Sequence, residues 1–347
     1  MGRPAPSRPS NNRDDTCRTG TVQACKEDDM SDTQALTNLA FHAVRAAESA
    51  AVAACDWIGR GEKELADQAA VDALRTGLNA MPMKGRIVIG EGERDEAPML
   101  FIGEEVGTGE GPEIDIALDP LEGTTLTAKG QANALVLVSF ALRGGLLHAP
   151  DTYMDKIAVG PGLPEGVVDL DASPADNVRN LAKAKGVETS EITVCILERE
   201  RHQPIIDGVK AAGGRIRLIP DGDVAGGMGT AGLGAGVDMY IGQGGAPEGV
   251  LLASALRCIG GQMQARLVFR NDDERARAAR TGVTDLDRKY DVAELAASHC
   301  LFVAAGVTDG DLVDGVSFSG GMAHTHTLLL DSADHSIRRI RSARPVA

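Results

Sequence analysis

Apolar positions along this chain change their period several times, and each change marks an element. From about Asp32 to Ile58 an Ala- and Leu-rich run without Pro or Gly meets Gly59 and Gly61, which predicts one long helix with a glycine stop. A second helix is expected over Glu62 to Met81, ended by Pro82. On it Val71, Leu74 and Leu78 share a face, and Asp67, four residues before Val71, falls on the same side. The period then drops to two. Gly85 to Glu93 (GRIVIGEGE) reads as an apolar strand running into a glycine-acid turn, and Ile114, Ile116 and Leu118 alternate with Asp115, Ala117 and Asp119 as in a strand with one apolar face. Pro120 lacks an amide hydrogen and is expected to end that ladder. Asn133 to Leu142 reads as a further strand, with Tyr153 and Lys156 placed on the loop beyond it.

From near Asp169 helices and strands alternate. Helices are expected over Asn177–Lys185 and Gln203–Ala212, and strands over Ile192–Glu198, Arg215–Pro220, Gly236–Gly242, Met263–Phe269 and Cys300–Ala305, with closing strands through Arg341. That alternation predicts an α/β fold with parallel or mixed sheets and ligands at strand carboxyl ends. The expected divisions are a disordered tail over 1–30, an α/β half over 31–170, a second over 171–260, and strands and a helix over 261–347 that complete the sheets.

Composition narrows the function. A chain of 347 residues that is 43% hydrophobic can bury a large core. Its formal net charge of −15 disfavours nucleic-acid and anionic-membrane partners. No apolar run approaches the roughly 18 residues of a membrane helix. Cys17, Cys25, Cys55, Cys195, Cys258 and Cys300 form no CxxC pair and follow no secretory signal, so reduced thiols and a cytoplasmic location are expected. Met30, after the polar tail, is an alternative start to Met1.

The chemistry concentrates in DIALDPLEGTT, Asp115 to Thr125. Asp119 and Glu122 are hard oxygen ligands for Mg²⁺ or Mn²⁺. Gly123 lets the backbone of Gly123, Thr124 and Thr125 approach an anion, and the Thr124 hydroxyl can orient or deprotonate a water. The alternative is a proline turn with two solvated acids. Glu91 and Glu93 end another strand, so Asp67, Glu91, Asp119 and Glu122 could converge on two cations about 4 Å apart; alternatively Asp67 only complements its helix dipole and the GEGE turn is merely solvated. Three later strand ends carry polar clusters: Arg199, Arg201 and His202; Asp221, Gly222 and Asp223; and Gly245 with Glu248, which is placed to ligate a metal from a helix first turn. These also fit an exposed basic pair, an Asp-Gly turn with a helix cap, and a dipole complement. Tyr153 is either a donor to a sugar or phosphate oxygen or a packing residue. His324 and His326 read as one face of a strand.

Taken together, WIGRGEKELADQAAVDAL, VIGEGERDEAPML, DPLEGTT, GQANAL, APDTYMDK, VGPG, IPDGDVA and GGAPEG, in that order over roughly residues 35 to 342, resemble the class II fructose-1,6-bisphosphatases of the lithium-sensitive, metal-dependent phosphatase superfamily. The resemblance implies a layered α-β-α-β-α sugar-phosphatase fold and hydrolysis of the C1 phosphate of fructose 1,6-bisphosphate. It implies one Mn²⁺ or Mg²⁺ on Asp67 and Glu91, and a second amid Asp119, Glu122 and Glu248. Glu122, Gly123, Thr124, Tyr153, Arg199, Glu200, Arg201, Asp221, Gly222, Asp223 and Gly245 would contact the sugar bisphosphate, Lys63 would join the arginines at the distal phosphate, and a homo-dimer or tetramer is expected. Where the family often has Lys-Pro-Arg, this chain has Arg199-Glu200-Arg201, and a Thr-Gly-Ile-Thr turn appears as Ala305-Gly306-Val307-Thr308. Other readings are a sedoheptulose-1,7-bisphosphatase or dual-specificity enzyme, an inositol- or nucleotide-phosphate phosphatase, and a non-catalytic sugar-phosphate sensor.

Overall fold

Strands β1 (Lys84–Ile89), β2 (Glu105–Val106), β3 (Glu113–Glu122) and β4 (Leu135–Leu142) start one sheet. The chain then builds a second from β5 (Tyr153–Val159), β6 (Thr193–Leu197), β7 (Arg215–Ile219), β8 (Met239–Gly245), β9 (Gln262–Val268) and β10 (Tyr290–Asp291), in the order β10-β9-β5-β8-β6-β7. It returns to the first through β11 (Cys300–Gly306), β12 (Ser317–Ser319), β13 (Met322–Asp331) and β14 (Ser336–Pro345). The first sheet runs β12-β13-β11-β4-β3-β1-β2, with β14 paired to β13. Both sheets are mixed: β1 and β3 pair in parallel, as do β6 with β7 and β8, while β4 pairs antiparallel with β3 and β5 with β8. This computed structural model describes residues 1–2, 32–92, 99–280 and 282–346, so residues 3–30 of the expected tail, with Cys17, Cys25 and Met30, and Glu93 lie outside the described residues.

Side-chain alternation sorts the strands into layers. Helices α1 (Ala40–Cys55) and α2 (Lys63–Asn79) cover one face of the first sheet, where Ala43, Val44, Leu74 and Leu78 pack with Ile114, Ile116, Val136, Val138 and Phe140. A short helix, α3 (Thr124–Ala128), follows β3. Helices α4 (Pro174–Lys185) and α5 (Gln203–Ala211) cover the far face of the second sheet, through Val178, Leu181 and Val209 against Ile157, Val159 and Val194. Between the sheets lie α6 (Asp223–Met228) and α7 (Ala246–Ile259), whose Val224, Val250, Leu251 and Leu252 meet Ala117, Leu135 and Leu137 on one side and Met154, Ala158 and Tyr240 on the other. The five layers are therefore α-β-α-β-α. Among the described residues no helix is long and apolar enough to cross a membrane.

Four local expectations need correction. Tyr153 and Lys156 are not on a loop but in β5, hydrogen-bonded between β8 and β9. Pro120 does not end β3; it falls in a register shift between Asp119 and Glu122, after which Glu122 again pairs with Leu135. A bulge tolerates the missing amide where a regular ladder does not. The face of β3 opposite Ile114 and Ile116 is not solvated either: Asp115 is buried, accepting from the Gly144 amide at 2.6 Å, with Arg143 at 3.6 Å. Lastly, the first helical run is interrupted at Asn38 and Leu39, ahead of α1.

Candidate active site

The face of β3 that carries Asp119 looks into the middle layer, and both helices of that layer begin with acids. Asp223 opens α6 and Glu248 lies in the first turn of α7. Asp67 comes from the first turns of α2, on the buried side of a helix that also buries Ala66, Ala70, Val71 and Leu74. Glu91 follows the end of β1, the strand parallel to β3, so the two strands deliver their carboxyl ends side by side. Asp67, Glu91, Asp119, Glu122, Gly123, Thr124, Asp221, Gly222, Asp223 and Glu248 thus line one cleft of about 430 Å³.

The turn after β3 is shaped by two backbone features. Within the bulge, Asp119 Oδ1 accepts from the Leu121 amide at 3.0 Å, which fixes that carboxylate. Gly123 then takes φ 88° and ψ 46°, a left-handed conformation that costs glycine little, and α3 starts at Thr124. Thr124 is half-buried and lines the cleft beside Glu122. Glu122 Oε1 accepts from the Val224 amide at 3.0 Å, tying the β3 turn to the start of α6.

Charge in the cleft is one-sided. Asp67, Glu91, Asp119, Glu122, Asp151, Asp221, Asp223 and Glu248 line it, and no Lys or Arg does so among the described residues. Burial and then repulsion from Asp67 push the Glu91 carboxyl up to about 7. Burial, with Glu64 next, also raises Asp67. Burial raises Asp119 far above the usual carboxylate range, with Glu122, Glu91 and Glu248 adding repulsion, and raises Glu122 likewise, with Asp223 its strongest neighbour. Glu248 is raised by burial and Asp223. Two buried oxygens in this group, Glu122 Oε2 and Glu248 Oε2, have no hydrogen-bond partner. Among the described residues no three His, Cys, Asp or Glu side chains are already gathered as a metal cage. Orphaned, mutually repelling buried carboxylates nonetheless fit a cation, which would satisfy the oxygens and reverse the repulsion.

The remaining residues anticipated from sequence lie outside the lining. Exposed Lys63 and half-buried Arg199 both draw the Asp221 carboxyl down against the larger upward effect of burial, and Arg199 approaches Asp221 to 3.9 Å. Arg201 donates to the Gln243 carbonyl at 2.6 Å and stands over the Tyr153 ring at 5.2 Å. Glu200 is exposed, and Gly245 caps α7. His326 accepts from the Asp314 amide and His324 pairs with Ser319, so both act within the sheet. Sequence reading missed Asp151 in the cleft, Arg270, whose guanidinium lies 4.8 Å from the Tyr153 ring, and Lys156, buried against Asp223. Strand alternation over Met154, Lys156 and Ala158 was the available signal for Lys156, once the segment is read as β5 rather than a loop.

The family model described as bacterial fructose-1,6-bisphosphatase, glpX-encoded, matches residues 37–344. The fructose-1,6-bisphosphatase 1 class 2 of Escherichia coli (strain K12) is 46% identical over 318 residues, covering 88% of this chain and 94% of its own. The D-fructose 1,6-bisphosphatase class 2/sedoheptulose 1,7-bisphosphatase of Synechococcus sp. (strain JA-3-3Ab) is 42% identical over 325 residues, covering 86% of this chain and 93% of its own.

Proposed function

The chain belongs to the bacterial, class 2 fructose-1,6-bisphosphatase family and is a sugar-bisphosphate phosphatase, and we propose that it hydrolyses the C1 phosphate of fructose 1,6-bisphosphate to fructose 6-phosphate and phosphate. What carries the catalytic reading is the cleft itself, where among the described residues eight carboxylates and no lysine or arginine line the space beside the Thr124 hydroxyl. A phosphate monoester could not enter such a field without compensating positive charge. Mn²⁺ or Mg²⁺, held by Asp67 and Glu91 on one side and Asp119, Glu122 and Glu248 on the other, would supply that charge and acidify a water.

The chain's own groups do the rest. The Thr124 hydroxyl aligns the attacking water and takes up its proton while yielding its own to an ionised carboxylate of the cluster, the leaving C1 oxygen is protonated from solvent, and the Gly123–Thr125 amides would face the transferring phosphate. Asp221 and Asp223 accept from sugar hydroxyls. Arg199, Arg201, Lys63 and Tyr153 hold the distal phosphate, so remote binding energy orients the reacting one. Water is the nucleophile, and no phosphoenzyme forms. Chelator-stripped protein should release no phosphate, and turnover should return with Mn²⁺ or Mg²⁺ added singly. Full activity of the stripped protein would remove the cation from the reading.

The second reading is a sedoheptulose-1,7-bisphosphatase or dual-specificity enzyme, with which the name of the Synechococcus relative is equally consistent. Assaying fructose 1,6-bisphosphate, sedoheptulose 1,7-bisphosphate and inositol monophosphate side by side separates the possibilities; exclusive turnover of the last would overturn both readings. We further propose a cytoplasmic homo-oligomer, a location in keeping with the free thiols of Cys55, Cys195, Cys258 and Cys300.

A further inference from the structure

Lys156 is a full-length cation with almost no access to solvent, at 1% exposure. It sits mid-strand in β5, opposite Gly242 of β8 and Ala265 of β9, on the inner face with Met154 and Ala158. Its ammonium lies 2.5 Å from Asp223 Oδ2 and donates to the Gly245 carbonyl at 2.9 Å. Tyr240 Oη donates to the same Asp223 oxygen at 3.3 Å. Asp223 begins α6 and Gly245 caps α7, so one buried ammonium ties together the two segments that carry Asp223 and Glu248 to the cleft. Among the described residues no hydrogen bond engages Asp223 Oδ1, while Asp223 itself lines the cleft.

The space around this contact is cut to fit. A Cβ at Gly244 would come within 2.1 Å of Asp223 Oδ2 and 3.0 Å of Lys156 Nζ, and one at Gly249 would meet Met154 Sδ at 2.3 Å and Lys156 Cδ at 3.3 Å. Both glycines leave room for the lysine stem and its partner. A buried ion pair of this kind fixes orientation more reliably than it adds stability, because removing one member leaves the other charge unpaired in a poor solvent.

We propose that Lys156 is a positioning residue for sugar-bisphosphate binding: by occupying Asp223 Oδ2, with Tyr240, it holds Oδ1 toward the cleft as the acceptor for a sugar hydroxyl. This rests on the bisphosphatase reading, in which Asp223 contacts the sugar. Lys156 itself touches no substrate.

The test is a kinetic double-mutant cycle on the full chain with its cation present. Lys156→Met should raise KM for fructose 1,6-bisphosphate by about tenfold or more, with kcat falling less. In an Asp223→Asn background the same substitution should change KM by less than about twofold, because the group it positions no longer carries the charge it pairs with. Gly244→Ala leaves Lys156 in place but crowds the contact, and should give the same direction of KM change. A purely structural lysine would instead lower the melting temperature and the active fraction while leaving KM unchanged, in both backgrounds. Equal KM effects of Lys156→Met with and without Asp223→Asn would overturn the proposal. Should Lys156→Met fail to accumulate, the Gly244→Ala result decides, and an unchanged KM there overturns it equally. Failure of the parent enzyme to turn over any sugar bisphosphate would instead count against the functional reading.

Discussion

Among the described residues, Thr124 occupies the one position in the cleft where a hydroxyl adjoins the acid cluster at the start of a helix. Among its neighbours Glu91, Asp119 and Glu122 have carboxyls raised by burial and by nearby acids, so positive charge arriving beside them would favour their ionised forms. The hydroxyl is then the group best placed to orient water without adding another negative charge. Thr124→Ala should therefore leave substrate affinity within about tenfold and lower kcat by roughly 10²-fold or more, as loss of a positioned proton-transfer group does. Steady-state kinetics with isothermal titration on the same preparation checks this, and unchanged turnover would take Thr124 out of the mechanism. Glu91, Asp119, Glu122 and Thr124 were legible from sequence because each follows or ends an apolar strand run, and Asp67 because it shares the apolar face of its helix; there local pattern alone gives the position. Lys156 was not, because its meaning depends on Asp223, 67 residues away.

At the scale of elements, the turn between β3 and α3 depends on Gly123. Its φ of 88° lies in a region that L side chains avoid, and an added Cβ would meet Leu126 Cδ1 at 2.8 Å. Gly109 has a similar φ of 79° with nothing within 4 Å of its added Cβ. Gly123→Ala and Gly109→Ala should each lose about 1–2 kcal/mol from the backbone conformation. Only the first should also lose most of its turnover, because Glu122 and Thr124 flank the turn. Denaturant melts paired with phosphate-release assays check both, and equal activities would mean the turn need not hold its shape. The alternating period of β3 marked Ile114, Ile116 and Leu118 as its apolar face, and that face meets α1 and α2. It could not reveal that the other face is buried as well, since the layer covering it comes from α7, more than a hundred residues later. Nor could it distinguish a proline that ends a strand from one seated in a bulge, because that choice is made by the partner strand β4.

For the molecule as a whole, the two sheets clamp a layer of helices whose acidic starts gather carboxylates from α2, β1, β3, α6 and α7 into one place. Folding without a counter-cation therefore concentrates negative charge, and stability should record it. Glu91 is held at about 7 against an ordinary 4.5, and Asp67, Asp119, Glu122 and Glu248 are all raised. A carboxyl with a raised folded pKa keeps its proton in the folded chain at a pH where the unfolded chain has lost it. The folded state then binds more protons, so stability falls as pH rises from the unfolded value through the folded one. For Glu91 that window runs from about 4.5 to about 7. His202 and His326, held below their ordinary 6.5 chiefly by burial, act in the opposite sense and favour the folded state as pH rises toward that value. Metal-stripped protein should accordingly lose melting temperature more steeply between pH 5 and 8 than protein saturated with Mn²⁺ or Mg²⁺. The histidines lie outside the cleft lining, so the difference between the two curves isolates the carboxylates. Melting curves that stay parallel across this range would mean that the acids are not relieved by a cation, and the clustering would then need a different cause.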